Sequence, residues 1–426
     1  DVLEKESLPP AFRDIDILLY LVHSMSGGGE DFEQRDREGA ENVARAAREA
    51  GVRRIIYLGG LGKRGSEQTP HLRSRHEVGD ILRGSGIPVT EFRAAVIVGS
   101  GSASFEMMHH LVNRLPVMIT PRWVNVRTQP LAIADLLMYL LEGVEREDTA
   151  GEVIDIGGPE VLTYREMMLT VARVLGLRRS VLPVPVLTPR LSSYWVNLVT
   201  PIPFLLARSL IESVRSETIV ENDAASRLFA IRPMPFEEAV RRALRKLQSY
   251  EVETTWTSAG SPPAAQPLDP SHLRSDVQRL ECGAGAEELF AVFSAIGGDN
   301  GWYYANALWR LRGFVDKQLG GVGLRRGRRH PQDLHPGEAL DFWRVEEIED
   351  GKRLLLRAEM RVWGRAWLEF RAEETPDGRS RLVQTAHYYP RGVLGLLYWY
   401  GVYPAHVLVF RGMARAIVRR TEMLHG

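Results

Sequence analysis

A chain of 426 residues exceeds what one ordinary hydrophobic core organises, so two or three domains are expected. Lys+Arg and Asp+Glu both total 54, so there is no net field to recruit nucleic acid or acidic lipid. The single cysteine, Cys282, excludes an intrachain disulfide, and with neither a signal peptide nor a metal-spaced Cys/His cluster the chain fits a reducing cytoplasm.

The first part alternates strand and helix. "IDILLYLV" (Ile15–Val22) is short, rich in β-branched residues and almost wholly apolar, as a strand covered on both faces should be. A glycine loop, "SGGGED", leads to a helix from about Phe32 to Ala50, with Gly51 where a C-cap glycine belongs. "VRRIIYLGG" is the next strand, "HLRSRHEVGDILR" a helix, and "IPVTEFRAAVIVG" the strand after it. These spacings predict a parallel, doubly wound α/β sheet. Further on, "GEVIDIGGPEVLTYREMMLTVARVLG" reads as a strand, a Gly-Pro turn and a helix opened by a Thr163/Glu166 capping box.

Residues 249–272 contain "TTWTSAGSPPAAQPLDPS", which lacks periodicity and reads as a linker. Beyond it lies an α+β pattern. An apolar helix near Glu287–Ile296 and an aromatic-rich helix, "GWYYANALWRLRGFVDKQLG", precede four strands and a long final helix from about Val393 to Thr421. The strands are "EALDFWRVEEI", "RLLLRAEMRVW", "RAWLEFRAEE" and "RLVQTAHYY", the last two joined by a "TPDGRS" hairpin. The run "RRGRRH" (Arg325–His330) reads as a solvated loop and not a nucleic-acid site, because aromatics do not interleave it. Gly392–Phe410 carries no formal charge over nearly the length of a spanning helix. Pro404 and His406 fall inside it and its aromatics sit at its middle, so a helix covering a curved sheet is expected in preference to membrane contact.

His71 and Arg75 lie four apart on one helix face with Val78 and Leu82. Two polar heads therefore open an inward-facing row, a geometry suited to a group aimed at a ligand. Around them, residues 1–248 resemble the atypical short-chain dehydrogenases, the NmrA-like, NAD(P)-binding branch of the extended Rossmann proteins. "IDILLYLVHS", "NVARAAREAGVRRIIYLGG", "RSRHEVGDILRGSGIPVTEFR", "RTQPLAIADL" and "GGPEVLTYREMM" carry that likeness. Residues 273–426 resemble the SRPBCC (START-type, helix-grip) domain of uncharacterised function, through "GGDNGWYYANALWRLRG", "FWRVE", "RAWLEF" and "YWYGVYPAHVLVFRGM".

The resemblance implies a Rossmann-type domain over 1–248, a linker over 249–272 and a helix-grip domain over 273–426. It implies NAD or NADP as cofactor, with Asp1 and Val2 at the adenine. It places Val22, His23, Ser24 and Tyr57 around the nicotinamide cleft, with Gly59, Arg75 and Arg93 beside them. Catalytic members carry Tyr-x-x-x-Lys after a strand ending in Ser; here His71 stands for Tyr, Arg75 for Lys, and Gly59 or Gly60 for Ser. Arg75 stays protonated and can hold a ribose or phosphate, His71 is the remaining acid–base candidate, and nothing replaces the Ser hydroxyl.

The implied function is a cofactor-binding or sensor protein with a hydrophobic-ligand domain and no Tyr–Lys catalysis. The alternatives are an oxidoreductase or isomerase working through His71, and a membrane-surface assembly or quinone-related factor. The family also places its glycine-rich pyrophosphate turn ahead of Asp1, so this chain by itself is expected to bind neither dinucleotide and to expose the edge of Ile15–Val22. Arg127, Gln129 and Asp135 fall in a segment that lines the substrate side in relatives. An apolar cavity is expected in the last domain, walled by Phe342, Trp343, Trp363, Trp367 and Phe370. The final helix would add Leu396, Leu397, Tyr400 and Tyr403, with His387 and His406 as polar contacts. Structural roles compete throughout: His23–Ser24 as a solvated strand end, Tyr57 as core, Asp135 as a helix-start residue, and aromatics that fill the space completely.

Overall fold

The computed structural model describes residues 1–24, 32–63, 65, 69–184, 193, 196, 199–200, 202, 204–249, 252, 254–258, 273–318 and 321–425. The "SGGGED" loop and most of the expected linker lie outside the described residues. The chain forms two compact units: Asp1–Ser249 with Ala259–Ser261, and Tyr250–Ser258 with Pro262–Gly426.

In the first unit β1 (Ile17–Tyr20), β2 (Arg54–Gly60), β3 (Val89–Ala94) and β4 (Val153–Ile156) pair in parallel in that order. Parallel neighbours require crossovers, supplied by α1 (Phe32–Glu49), α2 (Pro70–Arg83) and α3 (Ile133–Glu145). Ala40, Val43 and Ala47 of α1 and Val78 and Leu82 of α2 pack with Tyr57 on one face. Leu136, Tyr139 and Leu140 of α3 pack with Ile56, Phe92 and Ile154 on the other. Helices on both faces make this a doubly wound parallel α/β sheet, and they explain why its strands read as unbroken apolar runs. β1 is an edge strand; Leu19, Leu21 and Val22 are exposed there. Thr69 caps α2 by accepting the Leu72 N–H, with Pro70 at the first helical position.

Among the described residues of the second unit, six strands form one antiparallel sheet. They are β5 (Arg274–Cys282), β6 (Ala339–Leu340), β7 (Trp343–Glu349), β8 (Arg353–Ala358), β9 (Gly364–Glu374) and β10 (Ser380–Pro390), in spatial order β5-β10-β9-β8-β7-β6. Sequence reading overlooks β5 because its inward positions include Asp276 and Gln278, while apolar Val277 faces outward. Three helices accompany the sheet: α4 (Ala286–Ser294), α5 (Asn306–Gln318) and α6 (Gly392–His425). The C-terminal half of α6 buries Val409, Phe410, Met413, Ala414, Ile417 and Val418 in the common core, against β5, β10 and α4. Its N-terminal half turns Gly395, Trp399, Val402 and His406 toward the sheet, while Val393, Leu394, Leu397, Tyr400 and Leu408 face solvent. A helix packed along one side leaves the opposite side of its circumference unpartnered.

Candidate functional sites

In open α/β sheets ligands bind beyond the carboxyl ends of the strands. Here the ends of β1 and β2 meet the start of α2, and three side chains form a row. His23 Nδ1–H donates to Asp36 Oδ2 at 2.8 Å, and His23 Nε2 lies 3.1 Å from His71 Nδ1. Asp36 also accepts the Ser74 hydroxyl and the Ser24 N–H, each at 2.8 Å. Burial pushes the Asp36 carboxyl up, but the hydrogen bonds from His23, Ser74 and Ser24 outweigh it and hold it at about 2. Burial holds His23 below the ordinary imidazole range despite Asp36. Burial, with His23 and Arg75 as positive neighbours, holds His71 well below it. Both rings are therefore neutral near pH 7, and the network assigns their tautomers. His23 carries its proton on Nδ1 and accepts from His71 Nδ1–H, which leaves the His71 Nε2 lone pair without a partner among the described residues.

Asp36 is the residue that sequence reasoning missed. The available signal was position: Asp36, Ala40, Val43 and Ala47 share one stripe of α1, so a carboxylate sits on the buried face.

Arg75 is buried and serves the scaffold. Its guanidinium donates to the carbonyls of Val22 (3.2 Å) and Leu58 and lies over the Tyr57 ring, 5.1 Å from the centroid. It thereby satisfies strand-end carbonyls that the sheet leaves open. Tyr57 donates to the Arg75 carbonyl at 2.8 Å, and burial pushes its hydroxyl up to about 12, so it is no acid near neutrality. Arg93 bonds the fully buried Glu91 carboxylate at 2.7 Å, with Arg83 on the other oxygen. A Cβ at Gly59 would stand 3.2 Å from both Glu91 Oε1 and Tyr57, and one at Gly60 3.0 Å from Leu72, so packing is tight at both positions that could carry the Ser hydroxyl.

The remaining residues are braces. The Asp1 carboxylate accepts the Leu3 N–H, and the Val2 carbonyl accepts from Asn42. Arg127 pairs with Glu217 at the surface, Gln129 links Gly158 to Val220, and buried Asp135 accepts the Met234 N–H. Among the described residues no His/Cys/Asp/Glu group is arranged to hold a metal.

The second unit contains the apolar cavity, about 230 Å³. The sequence reading places Trp343, Trp367, His387 and His406 correctly on its wall. Phe342 and Phe370 instead fill the solid core, and Trp363, Leu397, Tyr400 and Tyr403 are exposed. The helix supplies the neighbouring face, Trp399, Val402, His406 and Val409, and α5 supplies Leu308, Trp309 and Arg312. Arg312, His387 and His406 are the charged or titratable residues among the apolar and aromatic wall. The Trp309 indole N–H is buried with no hydrogen-bond partner among the described residues. His406 Nδ1 stands 3.6 Å from Asp276 Oδ2, and burial, opposed by Asp276, pulls this imidazole down to about 4.

The fold and these sites define a chain with a doubly wound α/β unit carrying a carboxylate–imidazole–imidazole row and an α+β unit with an apolar cavity. The family described as "Protein of unknown function (DUF2867)" matches residues 271–413. No curated protein matches the sequence. Within its N-terminal part the chain is similar to a nucleoside-diphosphate-sugar epimerase from Staphylococcus aureus, at 18% identity and TM-score 0.46, covering 57% of this chain and 81% of that one. It is likewise similar to triphenylmethane reductase of Citrobacter sp. complexed with NADP(H), at 22% identity and TM-score 0.46, covering 57% and 81%. A UDP-glucose 4-epimerase from Thermotoga maritima, solved with UDP-glucose, is similar at 12% identity and TM-score 0.46, covering 59% and 84%. At these identities none of them tells what this chain binds.

Proposed function

We propose that the protein binds a hydrophobic, ring-bearing small molecule in its second unit, read as a helix-grip domain, and that its first unit does not carry out Tyr–Lys carbonyl reduction. The observation that carries this reading is the cavity itself, about 230 Å³, walled by Trp309, Trp343, Trp367, Trp399 and Phe410. Its aromatic wall favours flat rings, and Arg312 on the same wall has N–H groups that could donate to a ring carbonyl. Tryptophan fluorescence of the whole chain, titrated with quinones, polyaromatics and fatty acids, is expected to quench for ring carbonyl compounds. Val402→Trp, which places a large side chain in the cavity, should weaken that binding at least tenfold. No quenching or melting shift with any of the three classes would overturn the reading.

The dinucleotide reading fares differently. Of the groups assigned to it, Ser24, Arg75 and Arg93 are engaged with Asp36, strand-end carbonyls and Glu91. As they stand they do not fit the cofactor, and calorimetry with NAD and with NADP is expected to give no micromolar binding by this chain. Micromolar binding of either would mean that the internal network opens to admit it.

A second reading, an oxidoreductase or isomerase, is supported by the Asp36–His23–His71 row. In that reading His71 Nε2 takes a proton from substrate, and the resulting imidazolium is stabilised by the Asp36 charge through His23. Asp36 and His23 would be positioning residues for His71.

A further inference from the structure

We propose that the second unit docks on an anionic phospholipid surface through the outer faces of α6 and α5. On α6, Val393, Leu394, Leu397, Tyr400 and Leu408 are 72%, 62%, 64%, 64% and 59% exposed. At 3.6 residues per turn they fall within roughly a third of the helix circumference, and the same face continues as Arg411, Arg415 and Arg419, all exposed. No acidic residue occurs between Gly392 and Thr421. On α5, Leu308, Leu311, Phe314 and Val315 are exposed beside Arg310. The one acid of that helix, Asp316, is fully buried, accepting the N–H groups of Arg361 and Gly323. The result on α6 is an apolar ridge with a cationic end, and α5 carries a second exposed apolar face, the pattern of an interaction surface.

Charge decides what covers it. A second copy in parallel would set Arg against Arg, and in antiparallel it would bury Arg against Leu and Val. An anionic bilayer satisfies both halves: the apolar side chains enter the acyl boundary, and the arginines meet phosphates. Trp363, Tyr400 and Tyr403, all exposed, are residue types that favour the headgroup level. α6 has the length and composition to span a bilayer. Spanning would tear Trp399, Phe410, Met413 and Ile417 from the cavity wall and core, so the helix lies on the surface. Leu308 and Ala405 both line the cavity and reach solvent at this face. On the reading proposed above the ridge thus borders the cavity mouth, although docking does not depend on the cavity being filled.

Co-sedimentation of the full chain with phosphatidylcholine vesicles, with and without phosphatidylglycerol, tests this. Binding is expected for the mixed vesicles and at least tenfold weaker for the neutral ones. Leu394→Glu with Leu397→Glu, both at exposed positions, should abolish it, and Arg411→Glu with Arg415→Glu should reduce it at least tenfold. Circular dichroism of each variant confirms that the fold is kept. Equal binding to neutral vesicles, insensitivity to either variant, or no vesicle binding would overturn the proposal. So would self-association in sedimentation equilibrium that the Leu variant abolishes while vesicles are ignored.

Discussion

Replacing Glu91 by alanine is expected to destabilise the first unit by about 3–5 kcal/mol, toward the lower end of that range. Glu91 lies on β3 with its side chain fully buried, between Arg93 and Arg83. Removing it takes the shared buried anion from both guanidinium groups, with Asp80 remaining to Arg83 at the surface. Their side chains keep 16% and 26% exposure, so water can reach them in part, which is the reason for the lower end. The carboxylate also fixes its neighbours by size, since a Cβ at Gly79 would stand 2.8 Å from Glu91 Oε2. Urea unfolding followed by far-ultraviolet circular dichroism measures the loss. A change below about 1 kcal/mol would show that the three charges are not a coupled buried unit.

The second large effect is the response to acid. Asp36 holds its proton at about 2 against an ordinary 3.8, so it stabilises the fold above about pH 4 and that stability is lost as pH falls toward 2. At 1.36 kcal/mol per unit the contribution is about 2 kcal/mol. His23 and His71 act in a higher window. Both are held neutral in the fold, whereas the unfolded chain takes up protons below about 6.5, so stability already declines as pH falls from that value. Asp36→Asn is therefore expected to lower the urea midpoint at pH 7 and to remove the Asp36 share of the loss between pH 4 and 2, while the histidine window remains. Because Asp36 favours the protonated form of both rings, their resonances should titrate at still lower pH in the variant. If the rings titrate unchanged, the row from Asp36 through His23 to His71 does not transmit charge, and the second functional reading loses its support.

The alternation of apolar runs with amphipathic stretches was enough to predict the parallel sheet, because strands covered on both faces have no polar side to hide. Local chemistry was equally legible. Gly51 takes φ +75 after α1, and Thr163 and Glu166 close their capping box, since such interactions span only a few residues. The final helix was likewise visible, from about Val393 where it begins at Gly392.

What only the tertiary structure decided concerns partners distant in sequence. Arg75 reads as a ligand-holding cation, yet Val22 and Leu58, 53 and 17 residues away, accept its protons. Arg93 reads as a strand-end site residue until Glu91 is seen to be buried beneath it. Asp36 gains its role from His23 and Ser74, which α1 and α2 bring together across 13 and 38 residues. The cavity was predicted, but its wall was misread by one helix face, because an uncharged stretch that is apolar all round does not say which side meets the sheet. Equal totals of acids and bases hid the last feature. Net charge is a sum over the chain, whereas Arg411, Arg415 and Arg419 share a face with Leu397 and Leu408 only because the helix winds them there and the core takes the opposite side.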